Sequence, residues 1–181
     1  MSTVVTDELI QKVKAAGLAA NRARRDMVAA SESRAEAVFS LWVAGMTVRS
    51  IAKATAVSAS VSQRLLEKAR ASRPVFERRE ERVSYELHRA VAEKLREDPQ
   101  AVLAKAQVNL DRLAAKSRGS FADGWVKEWS VLLSGAVDDL VEVMLRGDER
   151  SIDLRQMTPF AGVLTDQERL LAIHKATRHG A

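Results

Sequence analysis

The chain has no cysteine, which excludes a disulfide framework, a thiolate metal site and a thiol nucleophile. Histidine is scarce: His88, His174 and His179 are scattered, with no second histidine or carboxylate at the spacing of a metal motif such as His-Glu-x-x-His, and they read as surface positions on helices. A glycine-rich phosphate loop, a nucleophile elbow and a strand–helix dinucleotide motif are all missing, and Asp138-Asp139 reads as a solvated pair on an amphipathic helix. The sequence therefore points away from an enzyme and implies no cofactor and no metal. The first thirty residues are interrupted by Asp7, Glu8, Lys12, Lys14, Arg22, Arg24 and Arg25 and hold no apolar run of signal-peptide or membrane-span length, so a cytoplasmic location without membrane contact is expected. Aromatic residues are only 4% of the chain.

What is abundant is Ala, Leu, Glu, Arg and Lys, which together favour helix over sheet, and the expected class is all-α. An apolar content of 46% is ample for a packed core, and 181 residues leave room for two small helical domains. Charge divides the same way. Residues 1–73 carry twelve Lys and Arg against six Asp and Glu, whereas residues 74–181 carry 17 against 18, so all the excess positive charge lies in the first part. A basic part beside a balanced one suggests a polyanion-binding module joined to something else, since cations that neutralise phosphates release condensed counterions.

Apolar periodicity and cap residues place the elements. Thr6 can cap a helix with Leu9, Val13, Ala16 and Ala20 on one buried face. Ser33 and Glu36 have capping-box spacing before Val38, Leu41 and Trp42, giving a second helix that stops at Gly45. Thr47 can cap a short helix with Val48, Ile51 and Ala52; after a break at residues 55–57, Ser58 can cap another with Val61, Leu65, Leu66 and Ala69. The segment 74–82, with Pro74 and a mixed charge run, reads as a linker or as the solvated start of the next helix, between an N-terminal domain at 1–73 and a C-terminal helical bundle at 83–181. In the bundle, helices are expected around Tyr85–Leu95 up to Asp98-Pro99, Val102–Leu113 up to a break at Ser117–Gly119, Ser120–Leu133 up to Gly135, and Val137–Leu145 up to Gly147. Trp125 and Trp129, one turn apart, read as core residues. The apolar loop from Met157 to Leu164 either tucks against the bundle or docks a partner, and Thr165 with Glu168 forms a second capping-box pattern before Leu170, Leu171 and Ile173.

The stretch from Gly45 to Ser58 sets a glycine two residues before Thr47, then Ile51-Ala52, then Val57-Ser58, and in this it resembles the helix-turn-helix family of prokaryotic and phage DNA-binding regulators. The resemblance covers about 40 residues of the chain, and the C-terminal domain matches no family pattern. It implies that Ile51 fills the core, Ala52 lets two helices cross closely, Val57 plugs the space under the turn and Ser58 caps a recognition helix at about 58–72. On that helix the implied DNA-facing positions are Ser58, Ala59, Ser60, Gln63, Arg64 and Glu67, with Gln63 suited to adenine and Arg64 to guanine. Arg49, Lys53, Lys68, Arg70 and Arg73 flank them as phosphate contacts, and Arg22, Arg24 and Arg25 form a further basic cluster, either a solvated face or an added phosphate clamp. Two positions depart from the family pattern: Ala56 stands where glycine is usual, and Ser62 where an apolar residue is usual.

The implied function is a sequence-specific transcriptional regulator, a repressor, acting on double-stranded DNA as a homodimer, with the C-terminal bundle as the expected dimerisation domain. The alternatives are an antitoxin-like protein that represses its operon and holds a toxin through its C-terminal domain, a helical protein–protein adaptor, and an architectural factor that bends DNA with little sequence preference.

Overall fold

No proline precedes Pro74, and the 41 residues Thr3–Val43 form one uninterrupted helix, α1. The computed structural model describes residues 3–116 and 120–179, and the side chains of 6–116 and 123–178. The further helices are α2 (Val48–Thr55), α3 (Ala59–Ala71), α4 (Arg79–Glu97), α5 (Pro99–Lys116), α6 (Ser120–Ser134), α7 (Val137–Met144), α8 (Glu149–Gln156) and α9 (Asp166–His179). Among the described residues every regular element is helical, which is the all-α class expected. The chain divides into two compact units, Met1–Ser72 and Arg73–Ala181.

Two expectations for the first unit are corrected. The Ser33/Glu36 pattern starts no helix: α1 runs through it, and Glu36 is buried in mid-helix. Leu9, Val13, Ala16 and Ala20 do not face a core; every residue from Thr6 to Ala30 is exposed, Val13 at 73% and Met27 at 75%. Only the last three turns of α1 enter the domain, where Val38, Phe39 and Val43 are buried together with Ile51 of α2 and Leu66 and Ala69 of α3. The stop at Gly45 is as expected and has a clear cause. Gly45 takes φ 102°, and the Met46 and Gly45 amides return to the carbonyls of Leu41 (3.1 Å) and Trp42 (3.0 Å), the paired bonds of a Schellman cap.

In the second unit the core gathers Val91 and Leu95 of α4, Val102, Ala106 and Leu110 of α5, Trp129 of α6, Leu140 and Met144 of α7, Leu154 of α8, and Phe160 beyond it. Trp129 is fully buried, and its indole N–H donates to the Leu154 carbonyl at 3.2 Å. Asp98 leaves the helical region just ahead of Pro99, as the proline requires, and its Oδ1 caps α5 through the Ala101 amide at 3.0 Å. The break expected at Ser117–Gly119 lies outside the described residues. Of the two readings of residues 74–82, the start of the next helix fits from Arg79 on, where α4 begins, while the residues before it pack within the second unit: Phe76 is buried with its ring 5.3 Å from that of Tyr85, and Arg82 donates to the carbonyls of Phe76 and Glu77. α8 is an element the sequence pattern did not reveal, capped by Asp148 accepting from the Ser151 amide at 3.0 Å.

The 157–164 loop packs inside its own unit. Asn109 donates to the carbonyls of Pro159 (2.8 Å) and Ala161 (2.9 Å), Lys105 donates to that of Gly162, and the Phe160 ring meets Trp129 edge-on at 5.5 Å. The capping box that follows is fully formed, with the Thr165 amide donating to Glu168 Oε2 (2.7 Å) and the Glu168 amide to Thr165 Oγ1 (3.3 Å). No helix among the described residues is long and apolar enough to cross a membrane.

Candidate nucleic-acid interface

The two short helices of the first unit are positioned by their caps. Thr47 Oγ1 accepts from the Ser50 amide at 3.2 Å to start α2, and Ser58 Oγ accepts from the Val61 amide at 3.3 Å to start α3, so each hydroxyl satisfies one of the free N–H groups at a helix start. Between them Ala56 adopts φ 54° and ψ 32°, and the amides of Ala56 and Val57 both return to the Ala52 carbonyl. Alanine thus takes the left-handed conformation that glycine adopts most readily, and the three-residue turn closes around it. Ser62 occupies the position where an apolar residue is usual: it is fully buried, and its hydroxyl has no hydrogen-bond partner.

All eight residues expected to contact DNA are exposed: Arg49 and Lys53 on α2, Ser58 at the cap, and Ala59, Ser60, Gln63, Arg64 and Lys68 on α3. Among the described residues Arg49, Lys53 and Arg64 form no ion pair, while Lys68 donates to Ser31 Oγ of α1 at 2.7 Å. Gln63 Nε2 donates to Glu67 Oε1 at 2.8 Å. That bond uses one of two amide hydrogens, so the second hydrogen and the Oε1 acceptor remain available for the bidentate pattern of an adenine edge. Arg70 is exposed but lies over the Trp42 ring at 5.6 Å, an arrangement that ties α3 to α1. Arg22, Arg24 and Arg25 are exposed on α1.

One expected phosphate contact is corrected. Arg73 is buried and belongs to the second unit, where its Nε and Nη2 donate to Glu86 Oε1 (2.5 Å) and Oε2 (3.2 Å). A guanidinium held through two of its three nitrogens by a buried carboxylate, with its side chain wholly buried, is out of reach of a phosphate.

The structure also shows a regularity of α1 that a shorter reading of its first turns could not. Leu9, Val13, Ala16, Ala20, Ala23, Met27 and Ala30 recur at alternating spacings of four and three, and all seven are exposed. This is a 3.5-residue period sustained over about 30 Å of helix at 1.5 Å per residue. Comparison of the chain with protein-family models, with curated proteins and with solved structures finds no match.

Proposed function

We propose that the first unit binds double-stranded DNA with α3 in the major groove, and that the protein is a sequence-specific transcriptional regulator acting as a repressor. The observation that supports this is the α2–α3 pair itself: two capped helices joined by a three-residue turn, with Ser58, Ala59, Ser60, Gln63 and Arg64 exposed at the start of the second. Charge supports it independently, because from Met46 to Arg70 the chain holds five cations and the single carboxylate Glu67. In this reading Arg64 and Gln63 discriminate bases, and Arg49, Lys53 and Lys68 engage phosphates and fix the register.

The same reading calls for two copies, since one such helix reads only a few base pairs. The heptad seam of α1 favours a second copy of this chain as the occupant, paired along α1 rather than through the C-terminal unit. A 3.5-residue period keeps a seam facing a partner helix through a supercoil, and a two-fold dimer would present two recognition helices to two half-sites.

The deciding experiment is binding to DNA from the region upstream of the protein's own coding sequence, at several salt concentrations, for the natural chain and for a Gln63→Ala/Arg64→Ala double variant. The expected result is tight, salt-dependent binding whose preference over unrelated DNA falls by about tenfold or more in the variant, each bidentate base contact being worth about 1–3 kcal/mol. Unchanged preference in the variant would remove α3 from the reading.

A further inference from the structure

The α1 seam is flanked by two rows of side chains, and what each row can meet depends on the direction of a partner helix. With Val13, Ala20 and Met27 as a positions and Leu9, Ala16, Ala23 and Ala30 as d positions, the g row is Lys12, Ala19 and Asp26 and the e row is Ile10, Gly17 and Arg24. Every residue from Thr6 to Ala30 is exposed, about three and a half heptads and about 37 Å of helix. Among the described residues neither Lys12 nor Asp26 forms an ion pair.

In a parallel pair each g residue faces the partner's e residue in the next heptad. That sets Lys12 against Gly17, Ala19 against Arg24 and Asp26 against Ser31, so neither charge is matched. It also lays the basic residues 22–25 of one copy beside the same residues of the other, and the cation-rich α2–α3 pair beside its own copy. An antiparallel pair sets g against g and e against e. About a midpoint at residue 18, Lys12 of each copy faces the partner's Asp26, which gives two ion pairs, and the stem of Arg24 covers the partner's Ile10. Leu9 meets the partner's Met27 and Val13 meets the partner's Ala23 towards the ends. At the centre Ala16 meets the partner's Ala20, flanked by Gly17 against the partner's Gly17 and Ala19 against the partner's Ala19, so the two axes approach closely there. Glycine in mid-helix is weaker than alanine, and a side chain at Gly17 would have no atom of its own copy within 4 Å. A backbone crossing at the two-fold gives that glycine a use.

The same midpoint sets Thr6 opposite Ala30, so the pairing covers the exposed stretch from end to end and stops where the domain begins. The domain leaves the seam open. Ala35, Glu36, Val38, Phe39 and Val43 are buried, while the next seam positions, Arg34 and Ala37, are exposed. At about 100° per residue, α2 and α3 therefore pack on the side of α1 away from the seam.

We infer that two copies of this chain pair antiparallel along residues 6–30 of α1, matched by the reciprocal Lys12–Asp26 ion pairs, and that their α2–α3 domains stand at opposite ends of the pair. The inference rests on the reading of α1 as the seam between two copies and is separate from the contacts of α3 with DNA. The buried Phe39 of each domain lies 21 residues from the midpoint, so the domains are about 60 Å apart along the axis at 1.5 Å per residue. That separation is nearer to two turns of DNA than to one, at about 34–36 Å per turn.

Because the chain has no cysteine, introduced single cysteines report the direction of pairing. Tagged Val13→Cys and untagged Ala23→Cys chains are mixed under reducing conditions and then oxidised, and each is also oxidised alone. The expected product is the mixed tagged–untagged dimer, at least about tenfold over either self-linked dimer. Residue 13 stands beside the partner's residue 23 but about 15 Å along the axis from the partner's residue 13, beyond the reach of about 7 Å between Cα atoms that a disulfide allows. In sedimentation velocity the natural chain is a dimer, Lys12→Asp weakens it by about tenfold, and adding Asp26→Lys restores it. All four positions are exposed, so the variants leave the fold of the domain alone. A self-linked Val13→Cys dimer would establish a parallel pair and overturn the antiparallel one. A dimer that no combination of cysteines links would place the interface elsewhere, and a monomeric natural chain would remove the seam itself. Loss or retention of DNA binding in the Gln63→Ala/Arg64→Ala variant bears on α3 and alters none of these outcomes.

Discussion

Ser62 brings a hydroxyl into the core of the first unit and finds nothing to bond it. A buried donor left unsatisfied costs about 1–3 kcal/mol, and alanine at this position would remove it while leaving a gap of one oxygen. Ser62→Ala is expected to stabilise the chain by about 1 kcal/mol, read as a higher urea midpoint with an unchanged slope. His88 gives the opposite kind of residue-scale effect. Burial is the main reason its pKa falls from 6.5 to about 4, with the Ser84 carbonyl opposing and Arg155 adding to the shift. Between those values the unfolded chain takes up a proton that the folded chain refuses, so stability is full above pH 6.5 and is lost as the pH falls towards about 4. The loss should amount to about 3 kcal/mol at 1.36 kcal/mol per unit. Urea melts across pH 4 to 7 check this: a His88→Gln variant should lose most of the slope, and an equal slope in both would mean that other groups carry it.

At the scale of elements, α1 combines a well-terminated end with 25 exposed residues before it. If its heptad seam pairs two copies, a charge at a central seam position must be buried against the partner or break the pair. Val13→Glu and Met27→Glu are therefore expected to shift the protein from dimer to monomer in sedimentation velocity without altering the folding of α2 and α3, and a monomeric natural chain would rule out the pairing. The seam also shows why legibility in the sequence differed between elements. Thr47, Ser58, Gly45, Asp98-Pro99 and the Thr165/Glu168 box act on neighbours within one or two turns, and the structure places each cap and stop where the sequence indicated. Ser33 and Glu36 carry an equally local pattern, but the same two residue types fit a helix interior, and only packing of Val38 and Phe39 decided which. α8 is eight residues long and offers few apolar positions, too short a window for periodicity. The burial of Arg73, His88 and Arg155 is non-local: Glu86, Thr158 and the Met144 carbonyl stand 13, 70 and 11 residues away, separations no pattern along the chain encodes.

For the whole molecule the governing quantity is the unequal division of charge. Every excess cation lies before residue 74, while Arg73, the last of them, is bound to Glu86 and belongs electrostatically to the second unit. Phosphate contacts should consequently come from the first unit alone, and cutting the chain at the boundary between the units should leave DNA binding with the first of them. A fragment of residues 1–72 is expected to retain DNA binding with the salt dependence of the full chain, because each phosphate contact contributes about 0.9 to the logarithmic slope and none would be lost. Residues 73–181 should bind no DNA at the same salt. Arg49→Ala or Lys53→Ala in either the full chain or the first fragment should reduce the slope by about one and weaken specific and unrelated DNA alike. A slope that changes on removing residues 73–181 would mean that the second unit also reaches the phosphate backbone, and the reading of α3 as the principal contact would have to yield to one in which both units grip DNA.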